Sequence, residues 1–222
     1  MRAQKKDWTE PILTCWNCWI AVSTGDRMGV MEVLGLSELR PITFAEAEEL
    51  IDSVVHSGRD DPHRLSQVVV TPEVDGWTLV VGPWCDPCDS ERHENVLASC
   101  LALSARYGKA QAYYFGEQGD GSAWLLTEDG SVIRRYAATC EPGDALLALG
   151  DPLPQEEARR LGLGLPVDLE AASSEEIEEW TYEAFDLAPD IATAYGVSTL
   201  SLTRETTVRG NGVLALTPDA PG

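Results

Sequence analysis

Residues 75–89 read Asp75-Gly-Trp-Thr-Leu-Val-Val-Gly-Pro-Trp-Cys-Asp-Pro-Cys-Asp89. Asp75-Gly76 is a turn signal, Trp77–Val81 is a β-branched-rich run of strand length, and Gly82-Pro83 ends it. Beyond it, Val96, Leu97, Cys100, Leu103 and Tyr107 recur at helical spacing. Asp86 suits an N-cap and Pro87 the first helical position. The stretch therefore predicts a strand, a Trp-Cys-Asp-Pro-Cys turn and a helix over 86–107.

Upstream, Trp8, Ile12, Trp16, Trp19 and Ile20 are spaced to form one apolar helical stripe over 7–22. A short helix over 28–36 closes at Gly35. A third begins at Thr43, whose hydroxyl and Glu46 three residues on form a capping box. Ser57–Ser66, with Asp61-Pro62, is a loop, and Val68–Thr71 is a strand paired with Trp77–Val81 through the turn at 73–76.

Downstream, Ala110–Phe115 and Ala123–Thr127 are strands. Asp129-Gly130 makes a type I′ hairpin turn into Val132–Tyr136. A short helix lies near 155–160. Ser173 and Glu176 form a second capping box for a helix with Ile177, Trp180 and Ala184 inward, ending at Pro189. Thr206–Arg209 and Val213–Thr217 read as a closing hairpin. The fold class is α+β: an antiparallel sheet of about five strands, a long helix packed on it and an N-terminal helical cap. The 222 residues form a single domain, with a helical part over 7–56, a sheet-plus-helix core over 66–140 and a C-terminal helix and hairpin over 173–217.

The charge balance is 16 Lys+Arg against 37 Asp+Glu, formally −21. Such a surface repels phosphate backbones and anionic lipid heads, so nucleic acid and membrane are poor partners and a basic protein is a good one. No apolar run reaches the ~20 residues of a membrane span. Glu10, Pro11 and Asn17 interrupt the first apolar stretch, which excludes a secretory leader. The chain is read as cytosolic, where its six cysteines stay reduced.

Several segments in order resemble a group of uncharacterised proteins of actinobacteria and other high-GC bacteria. They are Thr71–Gly82, Leu103–Gly108, Ala123–Leu126 with Asp129–Tyr136, and Gly210–Leu216. The resemblance spans roughly 15–216, and three lysines among many arginines fit a GC-rich source. It implies a bacterial cytosolic protein and carries no established activity. Trp84-Cys85-Asp86-Pro87-Cys88 is similar to the Trp-Cys-Gly-Pro-Cys of thioredoxin-like proteins. That similarity implies Cys85 as attacking thiolate, stabilised by a helix N-terminus, and Cys88 as resolving thiol.

Against that chemistry, no proline precedes the Ala123 strand to face the pair, and Asp86, Asp89 and Glu91 disfavour a thiolate. The bland alternative has Asp86 as cap, Pro87 as first helical residue and the cysteines as small apolar fillers. Metal ligation by Cys85, Cys88, His93 and Cys100 fails on geometry. Cys100 would lie ~18 Å along a helix from Cys88, whereas Zn–S bonds are ~2.3 Å. A set drawn from Cys15, Cys18, Cys85 and Cys88 would require the first helix to dock at the Cys85 turn, across 66 intervening residues. No metal and no cofactor is expected. Gly119–Ala123 is not a nucleophile elbow, and the 116–121 loop has no lysine to cradle phosphate.

The remaining features are surface features: the acidic cluster Glu175, Glu178 and Glu179, and an excess of tryptophans, with Trp84 a candidate binding residue. The expected function is a non-enzymatic binding protein, immunity or regulatory in role, toward a basic partner. Thiol–disulfide exchange by Cys85 and Cys88 is the alternative.

Overall fold

A computed structural model describes residues 12, 14, 16–57, 61, 63–117, 119–139, 148–166 and 172–220. In chain order the elements are β1 (Trp16–Val22), α1 (Arg27–Leu34), β2 (Ser37–Ile42), α2 (Phe44–His56), β3 (Gln67–Val70), β4 (Glu73–Val74), β5 (Thr78–Val81), α3 (His93–Tyr107), β6 (Lys109–Gly116), β7 (Gly121–Glu128), β8 (Ser131–Thr139), α4 (Pro154–Leu163), α5 (Ser174–Ala184), α6 (Leu187–Tyr195), β9 (Val208–Arg209) and β10 (Gly212–Leu216). Eight strands form one sheet in the order β2-β10-β3-β5-β1-β6-β7-β8, and β4 pairs with β9 separately. Every pairing is antiparallel.

The sheet is covered on both faces. On one, Trp19, Ala21, Leu79, Val81, Tyr113 and Trp124 pack with side chains of α2, α5 and α6. On the other, Cys18, Ile20, Val22, Val80, Ala112 and Leu125 pack with α1 and α3. Alternate residues of each strand thus enter different cores. Each large apolar side chain so buried contributes about 1.5–3 kcal/mol.

This explains the largest departure from the sequence reading. Residues 16–22, expected in a helix, form β1 near the middle of the sheet, between β5 and β6. A strand buried on both faces has no polar alternation, and Trp-Asn-Cys-Trp-Ile-Ala-Val mimics a buried helix segment. The expected Trp8 and the rest of 1–11 lie outside the described residues. The helical cap over 7–56 is instead two strands of the main sheet plus α1 and α2. The sheet has eight strands rather than about five, because β1, β2 and β10 join it.

Other corrections are local. The long helix on the sheet starts at His93, not at Asp86, and residues 83–85 make a 3₁₀ turn. Gly210-Asn-Gly212 turns the chain, but β9 pairs with β4 while β10 inserts between β2 and β3, so no closing hairpin forms. Pro189 does not end a helix. It sits in the first turn of α6, where its missing N–H has no intrahelical partner to lose. Ile177 points outward rather than into the core. Both capping boxes are present at Thr43/Glu46 and Ser173/Glu176, and Gly35 closes α1 in the left-handed conformation. Asp129 and Gly130 both have positive φ between β7 and β8, as a type I′ turn requires.

Candidate functional site at the Cys-Asp-Pro-Cys turn

The turn is positioned by strand pairing. β1 and β5 run antiparallel with Trp19 opposite Val81, and one step on the Gly82 N–H donates to the Cys18 carbonyl at 2.9 Å. Gly82 has φ 146°, a conformation side-chain-bearing residues avoid, so glycine is required where the chain leaves the sheet. The 3₁₀ turn then tucks Trp84 and Cys85 under the sheet, both buried.

Trp84, a candidate for partner binding, is not at the surface. Its indole Nε1 donates to Asp219 Oδ2 at 2.7 Å. The Arg92 guanidinium lies 4.4 Å over its ring and pairs with the same carboxylate at 2.7 Å. This clamp anchors the C-terminal segment to the turn.

The two turn cysteines have different surroundings. Cys85 is fully buried beside Val96, Cys100 and Leu103. Burial pushes its thiol far above the ordinary range, against a smaller opposing influence of Arg92. Cys88 is partly exposed. Its N–H and its thiol both donate to Asp86 Oδ1, at 2.9 Å and 3.1 Å. Cys18, from β1, lies close enough to the turn for the Asp86 carboxyl to act on its thiol. Burial, then Asp86, raises the thiols of both Cys18 and Cys88. Burial likewise raises Asp86, opposed by its bonds from Cys88. Tyr114, opposite Cys18 on β6, feels the same group, since Cys18, Cys88 and Asp86 add to the burial that lifts its phenol. At the rim, Arg64 pairs with Asp89 at 3.2 Å.

This geometry removes the premise of an activated thiolate. Cys85 faces no helix N-terminus, because α3 begins eight residues later, and its environment favours the neutral thiol. In the folded protein Cys88 is expected to react with iodoacetamide before the other described cysteines, and Cys85 only on unfolding. Timed alkylation with peptide mass mapping checks this; fast labelling of Cys85 at neutral pH would contradict the arrangement. Cys100 is core, as its helical position predicts.

Glu175, Glu178 and Glu179 are exposed on the first turns of α5. That helix covers the face of the sheet opposite to the cysteine turn, so the two sets of sequence-predicted residues are not brought together.

The structure places one further cysteine near the turn and reveals a charge cluster that the sequence did not show. Cys18 joins the turn cysteines, and its only signal was the Cys15-x-x-Cys18 spacing; Cys15 itself lies outside the described residues. A buried charge cluster also lies beside β7 and β8. Glu156 accepts from Trp124 Nε1 and Arg134 Nε at 2.9 Å and from Arg134 Nη2 at 2.6 Å, with Arg160 3.7 Å away. Among the described residues no group of three or more His, Cys, Asp or Glu side chains could hold a metal ion, and no helix is long and apolar enough to cross a membrane.

Fold and site together define an α+β protein with an eight-stranded antiparallel sheet sandwiched between helices. Compared with models of known families, with curated proteins and with solved structures, the chain matches none.

Proposed function

We propose that this is a non-enzymatic binding protein of the bacterial cytosol that docks a basic protein partner, in an immunity or regulatory role. The observation that carries the reading is the outer face of α5. Glu175, Glu178 and Glu179 are exposed there beside Ile177 and Tyr182, which are 43% and 60% exposed. An aromatic and an aliphatic side chain among carboxylates suit a cationic, partly apolar surface, with charge steering the encounter and the apolar pair supplying contact. The net charge of −21 favours the same sign of partner and disfavours nucleic acid and anionic membranes. Thiol–disulfide exchange finds less support, because Cys85 is buried.

Fluorescence anisotropy with a labelled amphipathic Lys/Leu helix peptide tests the reading. Binding is expected at low salt, weakening as salt rises. The Glu175→Gln/Glu178→Gln/Glu179→Gln variant should lose about tenfold in affinity, from roughly 0.5 kcal/mol per surface charge. Equal binding by the variant, or equal binding of a Glu/Leu peptide, would refute the assignment.

A further inference from the structure

A cleft of about 500 Å³ opens where the start of α1, the edge strand β2 and the turn between β9 and β10 meet. That volume falls in the range of small-molecule sites. The docking face proposed on α5 contributes nothing to its lining.

Arg27 sets this cleft apart. It is the first residue of α1 and is half-buried. Its Nη1 donates to the Asn211 carbonyl, and its Nε is buried with no partner. Among the described residues no carboxylate lies within ion-pairing distance of it, although the chain carries 37 acidic residues against 16 basic ones. The carboxylates of the cleft are otherwise placed. Asp26 accepts the Gly29 N–H at 3.0 Å and the Tyr107 hydroxyl at 2.8 Å. Glu73 pairs with Arg209 at 3.3 Å, and Glu38 is exposed on β2. A buried guanidinium N–H is unfavourable until an acceptor reaches it.

The rest of the lining sets the chemistry of the molecule that brings that acceptor. Asp26, Glu38 and Glu73 line the same cleft, so a phosphate or other multiply charged anion is repelled and an ammonium group is favoured. Pro41, Pro72 and Val213 add carbon surface, and the prolines have no N–H to offer a polar ligand. Met28 also lines the cleft and is 60% exposed, a flexible side chain that adapts to an apolar guest.

We propose that this cleft binds a small zwitterion with an apolar body, of the class of free apolar α-amino acids. Its carboxylate meets the Arg27 guanidinium, its ammonium group is held by Glu38 and Glu73, and its side chain lies on Pro41, Pro72 and Met28. The ligand thereby joins the start of α1 to β2 and to the β9–β10 turn. Binding is non-covalent.

Isothermal titration calorimetry on the full chain tests this with L-leucine, L-methionine and L-phenylalanine, each alone. At least one is expected to bind with one-to-one stoichiometry. Its amide, which lacks the carboxylate, and its N-acetyl derivative, which lacks the ammonium group, should each bind about tenfold more weakly or worse. Arg27→Gln should cost about tenfold, and Glu38→Gln, at an exposed position, about threefold. Glu128→Gln, an exposed carboxylate outside the cleft, should bind as the wild type does. Because Arg27→Gln disturbs a bond to Asn211 and can weaken the fold, the amide and N-acetyl comparisons on the wild-type chain carry the decision. Failure of all three amino acids to bind at millimolar concentration overturns the proposal. So does equal binding of either derivative, or wild-type affinity in folded Arg27→Gln protein.

Discussion

Glu156→Ala is expected to lower the unfolding free energy by about 3–5 kcal/mol, read from urea unfolding followed by tryptophan fluorescence. Glu156 is wholly buried and is the acceptor at the centre of its cluster. Its Oε1 takes Trp124 Nε1, Arg134 Nε and the Leu153 N–H, and its Oε2 takes Arg134 Nη2. Arg134 is itself almost completely buried and has one further bond, to the Gly150 carbonyl. Arg160 lies 4.2 Å over the Trp180 ring, and Trp180 Nε1 donates to Tyr136 at 2.8 Å. Removing the carboxylate leaves buried guanidinium charge facing an apolar cavity, which costs more than the pair itself contributes. The Glu156→Leu/Arg134→Met pair should therefore be less destabilising than Glu156→Ala. If the double change were the worse of the two, the cluster would be a net stabilising ion pair and this account would fail.

Trp19→Ala is the second large effect, about 3–5 kcal/mol by the same measurement. Trp19 is fully buried on β1, its ring stacks on Tyr113 at 5.0 Å, and its Nε1 reaches the Val197 carbonyl at 3.3 Å. It therefore joins the middle of the sheet to the segment that follows α6. Truncation opens a cavity that antiparallel neighbours on both sides prevent from collapsing. Tyr182→Ala, at a side chain 60% exposed on α5, is the control and should change stability by no more than about 0.5 kcal/mol. A comparable loss at both positions would mean that the outer face of α5 is structural and not available to a partner.

Short-range chemistry was readable at the ends of elements. Thr43 with Glu46 and Ser173 with Glu176 marked two helix starts, because a capping box is closed within four residues. Asp129-Gly130 marked a hairpin for the same reason. The candidate site was legible only in part. The Cys-x-x-Cys spacing drew attention to Cys85 and Cys88, but spacing carries no information about burial. The structure closes Cys85 into the core and leaves Cys88 partly exposed with its thiol on Asp86. Arg134 and Glu156 left no trace at all. A charged pair in a strand and a Pro-Gln-Glu-Glu helix start both read as surface, and only their mutual approach makes burial tolerable.

The sequence by itself determined that this is a strongly acidic α+β protein whose strand–turn–helix over 77–107 puts a long helix on an antiparallel sheet. Those properties follow from local periodicity, turn residues and summed charge. Tertiary structure alone decided that residues 16–22 are a strand, that β10 returns between β2 and β3, and that Cys18 bonds Gly82, where the chain enters the cysteine turn. The physical reason is that burial on both faces erases the alternation that distinguishes a strand from a buried helix. Which strands then pair is settled by contacts between residues far apart in the chain. The stretch 75–89 announced a place for chemistry, and its partner was a strand that in sequence looked like a helix.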